Sequence, residues 1–288
     1  MQARIGLLAI ILLCACVPSP RAELPSYPTM RQVYLPFVAY DWISSPASPK
    51  KGLGMPYAYC EDAVNSRSSW DYNWGAYPTL CQSTESIPML WGEAMLTPHV
   101  GGNSSWVMGF NEPDLREQAN LSPERAAELW RKVEAWYPNR KLVAPVPSSG
   151  NRTWLPQFRQ AYIAEYAHAP RLDALAMHCY YQTASECIQL AQWFEDRLAE
   201  WHVPELWVTE FAVFPCSNLS LDQAAHELKT FIDWMETQSP ITRYAYFANR
   251  YTGAEWWMGG AVTNGCIAPL YEFSTGVKTY FGNVYVLY

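Results

Sequence analysis

The chain has 288 residues, half of them apolar, enough for one large core or for a barrel of about 250 residues with a short extension. Its net charge of −7 argues against the basic face that a nucleic-acid partner requires. No Gly-X-Gly-X-X-Gly or P-loop motif is present, so no cofactor is expected.

In chain order, Met1 to Arg4 gives a short basic start, and the apolar stretch of residues 5–13 is too short to span a bilayer. Leu13-Cys14-Ala15-Cys16 resembles a lipoprotein signal that would lipidate Cys16; a plain secretory signal cleaved nearby fits the same pattern. Either reading predicts an exported protein, extracellular or anchored at the cell surface, with residues 1–16 as the signal. Residues 17–50 read as a tether and an extra strand. Pro18, Pro20, Pro25 and Pro28 keep the tether extended, and Pro36 makes residues 33–40 an edge strand. Residues 283–288 are its natural partner, which predicts a small extra β element built from the two termini.

Six cysteines remain: Cys60, Cys81, Cys179, Cys187, Cys216 and Cys266. An even number in an oxidising compartment predicts disulfides. Cys179 sits at a strand end and Cys187 enters a helix eight residues on, which predicts a bridge closing that loop. Cys60–Cys81 and Cys216–Cys266 are the further pairs expected. The spacings match no zinc template, so no metal site is expected. Asn-X-Ser/Thr sequons occur at Asn103, Asn120, Asn151 and Asn218 and carry weight only in a eukaryotic host.

Residues 51–288 are expected to form the barrel. Eight apolar runs read as strands: residues 52–59, 69–74, 87–91, 106–110, 141–146, 172–178, 206–209 and 243–247. Ser122-Pro123 is a helix start, followed by Leu129, Trp130, Val133 and Trp136 on one face. Leu190, Phe194, Leu198 and Trp201 share a second face, and Ser220 to Gln223 is a capping box before a third. Strand and helix in alternation predict an α/β fold, a (β/α)8 TIM barrel. Little helical pattern separates the first three runs, so the helical ring is expected to be reduced there.

Polar residues cluster just after the runs, where such barrels carry their chemistry. Asn73 and Trp74 follow the second run, Trp91 ends the third, Asn111 and Glu112 follow the fourth, and Glu210 the seventh. His178, Tyr180 and Tyr181 lie at the end of the sixth, and Asn249 and Arg250 after the eighth. A carboxylate in so apolar a neighbourhood is costly unless paired or functional, which singles out Glu112 and Glu210. Two facing carboxylates suffice to break a glycosidic bond. Asn111 suits a sugar hydroxyl, His178 either a core hydrogen bond or a role beside the carboxylates, and Trp74 and Trp91 either rim packing or sugar stacking. Asp114 and Glu117 read as solvated or helix-capping. No Gly-X-Ser-X-Gly elbow supports a serine nucleophile.

Gly109-Phe-Asn-Glu-Pro-Asp114, followed by Gln118-Ala-Asn-Leu-Ser122, resembles glycoside hydrolase family 128. The likeness continues through Tyr72-Asn-Trp-Gly75, Pro88-Met-Leu-Trp91, Ala176-Met-His-Cys-Tyr180, Leu206-Trp-Val-Thr-Glu-Phe211 and Arg243-Tyr-Ala-Tyr-Phe247. It implies a retaining endo-β-1,3-glucanase, with Glu112 as acid/base and Glu210 as nucleophile. It also implies a β-glucan partner, and Asn73, Trp74, Trp91, Asn111, His178, Tyr180 and Tyr181, gathered at the strand ends, are the residues expected to bind it. Cys179 stands where relatives commonly carry Trp, a departure that bears on the local sugar contacts. A raised pKa is expected for Glu112, which must start protonated. The alternatives are a hydrolase of another β-glycan (β-mannan or β-1,6-glucan) and a non-catalytic, surface-anchored polysaccharide-binding protein. A monomer is expected in each case.

Overall fold

A computed structural model describes residues 47–213, 219–251 and 269–288. Through them run eight strands: β1 (Lys51–Gly54), β2 (Trp70–Tyr72), β3 (Glu85–Ser86), β4 (Trp106–Met108), β5 (Lys141–Val143), β6 (Leu175–Tyr181), β7 (Leu206–Val213) and β8 (Ile241–Phe247). Six form one parallel sheet in the order β3-β2-β1-β8-β7-β6, and β4 pairs with β5. Single parallel bridges, Met89 with Met108 and Val143 with Ala174, join the two sheets at both seams. Strand neighbours therefore follow chain order all the way round, the connectivity of a (β/α)8 barrel.

The third predicted run, 87–91, holds only the single bridge at Met89; the strand β3 lies just before it, at Glu85–Ser86. Pro88 has no N–H for the ladder, so the run continues through its carbonyl, which accepts from Met108 N at 2.9 Å. The reduced ring is present: α1 (Cys60–Asn65) and a 3₁₀ turn at Glu93–Met95 stand where full helices would otherwise sit. Beyond β4 the helices lengthen: α2 (Pro123–Trp136), α3 (Trp154–Tyr166), α4 (Ala184–Trp201) and α5 (Leu221–Thr237). Ser122 caps α2 through Arg125 N, and Thr183 and Ser220 close capping boxes on α4 and α5.

Residues 283–288 do not form the expected strand. Their first half, residues 283–285, ends a short helix, α6 (Tyr280–Tyr285), started by the Thr279 hydroxyl accepting from Gly282 N. Helical spacing puts Phe281 and Tyr285 on one buried face, and the Tyr285 hydroxyl donates to Gly52 O at 2.6 Å. The Lys51 ammonium holds Tyr285 O and Tyr288 O at 3.1 and 2.6 Å. The predicted partner, residues 33–40, and the Cys16 signal lie outside the described residues.

Two apolar layers follow from strand alternation. Trp70, Tyr72, Met89, Trp106, Met108, Ala176 and Trp207 fill the inside of the barrel. Leu53, Val107, Leu142, Leu175, Met177, Leu206 and Val208 point outward into the helical layer. Gly109, just past β4, is fixed by close approach: a Cβ there would meet Pro145 N at 2.7 Å and the Trp130 ring at 2.9 Å.

Candidate active site

Strand parity alone would turn Glu210 away from the barrel. With Trp207 inside, residues 209 and 211 should follow it inward. A register shift changes that: Met177 pairs with Val208 and His178 with Glu210, leaving Thr209 as the extra residue of a bulge. Glu210 then faces inward as the register partner of His178, and Phe211 packs in the outer core. Glu112 arrives differently, on the turn after β4. Asn111 N donates to Trp91 O and Glu112 N to Val146 O, both at 2.8 Å, tying the turn to both flanking segments. Glu112 has φ 41°, the left-handed region, directly before Pro113. Trp74 is also left-handed, at φ 60°. Such conformations cost energy and gather at functional sites.

The two glutamates meet across His178. Its Nδ1 lies 2.8 Å from Glu112 Oε1 and its Nε2 3.4 Å from Glu210 Oε1. A carboxylate oxygen from each glutamate and a ring nitrogen all fall within 4.8 Å of one another. Trp74 Nε1 donates to Glu210 Oε1 at 2.7 Å, the Tyr180 hydroxyl donates to Oε2, and the Tyr72 hydroxyl lies 3.4 Å from Oε1. Phe247 packs edge-on against both Trp74 and Tyr180, completing an aromatic wall beside the carboxylate.

Burial pushes the Glu210 carboxyl above its ordinary value, and the negative charge of Glu112 adds to this against the pull of His178. Burial alone would lower His178, but the charge of Glu210 and the hydrogen bond to Glu112 outweigh it and hold the imidazole above its ordinary value. Burial keeps the Tyr72 and Tyr180 phenols protonated, hence donors.

Of the other expected site residues, Asn111 is buried, donates from Nδ2 to Gln118 Oε1 at 3.3 Å, and leaves its Oδ1 without a protein partner. Asn73 holds the local turn, accepting from Gly75 N at 3.2 Å. Trp91 is half-buried against the barrel interior. Tyr181 pairs with Val213 through its backbone. Asn249 and Arg250 serve another network: both donate to the buried Asp62 carboxylate, Arg250 through two nitrogens at 2.7 Å. Asp114 is no solvated loop residue, since it accepts from Ser148 N and Asn151 Nδ2 at 2.8 Å and fixes the Glu112 turn to the next loop. Tyr72 is a site residue that pattern reading misses; its inward parity beside Trp70 is the signal. Disulfides join Cys60 to Cys81 and Cys179 to Cys187, as expected. Cys216 and Cys266 lie outside the described residues.

Residues 53–267 match the family model described as glycosyl hydrolase catalytic core. Alkali-sensitive linkage protein 1 of Schizosaccharomyces pombe is 28% identical over 221 residues, 71% of this chain. The chain spans 39% of that relative's length. The fold resembles a subgroup I family 128 endo-β-1,3-glucanase from Amycolatopsis mediterranei, solved with laminaritriose, at TM-score 0.66 and 25% identity over 83% of this chain and 99% of that one. It also resembles a subgroup II family 128 endo-β-1,3-glucanase from Pseudomonas viridiflava at TM-score 0.65 and 27% identity over 83% and 97%.

Proposed function

The chain belongs to the glycosyl hydrolase catalytic-core family, and from that premise we propose that it is a retaining endo-β-1,3-glucanase. The observation that carries the mechanism is the closeness of the two carboxyls, with an oxygen of each within 4.8 Å. Retention needs carboxyls about 5–5.5 Å apart, whereas inversion needs roughly 6.5–9.5 Å to admit a water between them. Glu210, oriented by Trp74 and Tyr180, attacks the anomeric carbon. Glu112 gives its proton to the departing glycosidic oxygen and then takes one from the water that releases the sugar. His178 is the nearest source of the proton Glu112 needs, with Nδ1 at 2.8 Å. The preference for β-1,3-glucan rests on the two endo-β-1,3-glucanases the fold resembles, one of them holding laminaritriose. Asn111 Oδ1 supplies an acceptor for a sugar hydroxyl. Two disulfides suit the oxidising compartment that export of residues 1–16 would reach.

Reducing-sugar release from β-1,3-glucan, β-1,6-glucan and β-mannan, with Glu210→Gln as control, tests the substrate. Proton NMR of the first product anomer tests the mechanism, and β is expected. Glu210→Ala should lose at least about a thousandfold in turnover and regain it with azide on a glycoside bearing a good leaving group. Preference for mannan, or an initial α anomer, would overturn the proposal.

A further inference from the structure

His178 Nε2 is buried, has no hydrogen-bond partner, and faces Glu210 Oε1 at 3.4 Å. That separation is longer than an N–H···O hydrogen bond, usually about 2.7–3.2 Å. It is instead the length of a coordination edge. Zinc sits about 2.0–2.1 Å from imidazole nitrogen and about 2.0–2.2 Å from carboxylate oxygen, so two ligands on adjacent tetrahedral corners stand about 3.4 Å apart. The other ring nitrogen, Nδ1, already rests 2.8 Å from Glu112 Oε1, the carboxylate–histidine arrangement that orients a metal-bound imidazole. Trp74 and Tyr180 hold the Glu210 carboxylate from the aromatic side, so it presents a fixed oxygen rather than a mobile one.

We propose that His178 Nε2 and Glu210 Oε1 form a binding site for one divalent ion of the zinc and copper class, with Glu112 supporting the imidazole, and that an ion bound there reversibly blocks the active site. Imidazole nitrogen with carboxylate oxygen suits that class, whereas magnesium and calcium call for oxygen ligands alone. The ion's remaining positions go to water, or to the second Glu112 oxygen after a small rotation. The ion binding stands on the geometry of the three side chains; the inhibition rests on the glucanase reading as well, because the ion takes the oxygen that reading uses as nucleophile.

Calorimetric titration with zinc chloride measures the first without any substrate. One ion per chain is expected for the wild type. His178→Phe and the isosteric Glu210→Gln should each lose that binding, and Glu112→Gln should weaken it by about tenfold or more. His99, His168, His202 and His226 are exposed and present in every variant, so background binding to them stays constant. Melting curves establish that the variants are folded, and Glu210→Gln alone decides the matter if His178→Phe is not. Binding that persists unchanged in Glu210→Gln, or no binding in the wild type up to millimolar zinc, would overturn the site. In the glucan assay, zinc should inhibit competitively and a chelator should restore the rate. A saturated site with an undiminished rate would overturn the inhibition, while a protein inert toward every glycan that still binds one ion would sink the glucanase reading alone.

Discussion

The β1–β3 part of the barrel and the β4–β7 part reach the same mouth by different means. From β4 to β7 every strand is followed by a helix of 13 to 18 residues, and the outer core between them holds Trp130, Phe158, Phe194 and Phe231. From β1 to β3 the outer layer shrinks to the six residues of α1, whose Val64 is 54% exposed, and the 3₁₀ turn at Glu93–Met95. Polar and covalent staples stand in for the missing apolar area. Asp62 is fully buried and accepts from Arg250 and Asn249, and the Tyr271 hydroxyl donates to its backbone oxygen. Asp71, pointing outward between the inward Trp70 and Tyr72, accepts from the hydroxyls of Thr84 and Ser86. The Cys60–Cys81 bridge closes a separation of 21 residues, a constraint worth about 3 kcal/mol. The thin part still delivers Tyr72 and Trp74 to Glu210, so it must be rigid without being thick.

The comparison makes opposite demands on the two parts. Asp62→Asn should cost about 3–5 kcal/mol, because it leaves the buried Arg250 guanidinium only the exposed Glu61 carboxylate, 3.5 Å away, as countercharge. Phe231→Ala, in the thick part, should cost about as much through the cavity it opens. Val64→Ala should change stability by no more than about 0.5 kcal/mol. Denaturant melts measure all three, and a Val64→Ala loss rivalling that of Phe231→Ala would erase the distinction.

Asp71 sharpens it with a sign. Burial pushes its carboxyl up to about 6 from 3.8, against the pull of Thr84 and Ser86. Between those values the folded chain holds more protons than the unfolded one, so stability from this group falls as pH rises from about 4 to 6. Above pH 6 the ionised group imposes its full cost, about 3 kcal/mol at roughly 1.4 kcal/mol per unit. Asp71→Asn should therefore be more stable than wild type at pH 8 and lose that advantage below pH 4. Equal melts at both pH values would mean that the staple carries no charge penalty.

The thick part was the more legible in sequence. Ser122-Pro123 and the Ser220 capping box announce α2 and α5, because a cap is a local hydrogen bond that short sequence can encode. Glu112 and Glu210 were legible as carboxylates ending apolar runs, yet what aims Glu210 was not. The Thr209 bulge is a mismatch between β6 and β7, and neither strand alone records it. Asp114 read as solvated because its partners Ser148 and Asn151 lie more than thirty residues away. The terminal run 283–288 alternates like a strand, but the Thr279 cap and the i, i+4 pair Phe281 and Tyr285 make its first half the end of a helix packed under β1.

The smallest effect tests whether stability and chemistry separate in the thick part. Among the described helices, side-chain caps occur on α2, α4, α5 and α6, whereas α1 at Tyr59 and α3 at Thr153 begin without one. Removing the α2 cap with Ser122→Ala leaves Arg125 N unsatisfied and should cost about 1 kcal/mol; Ser122→Gly should cost only a few tenths. Ser122 follows the loop that carries Glu112, and Leu121 N donates to Pro113 O at 2.8 Å within that loop. That backbone bond, together with Asp114 on Ser148 and Asn151, holds the Glu112 turn independently of the helix start. Turnover should therefore stay at the wild-type value while the unfolding midpoint falls. A drop in kcat matching the lost stability would mean that the cap itself positions Glu112, and that the thick part is not a passive scaffold.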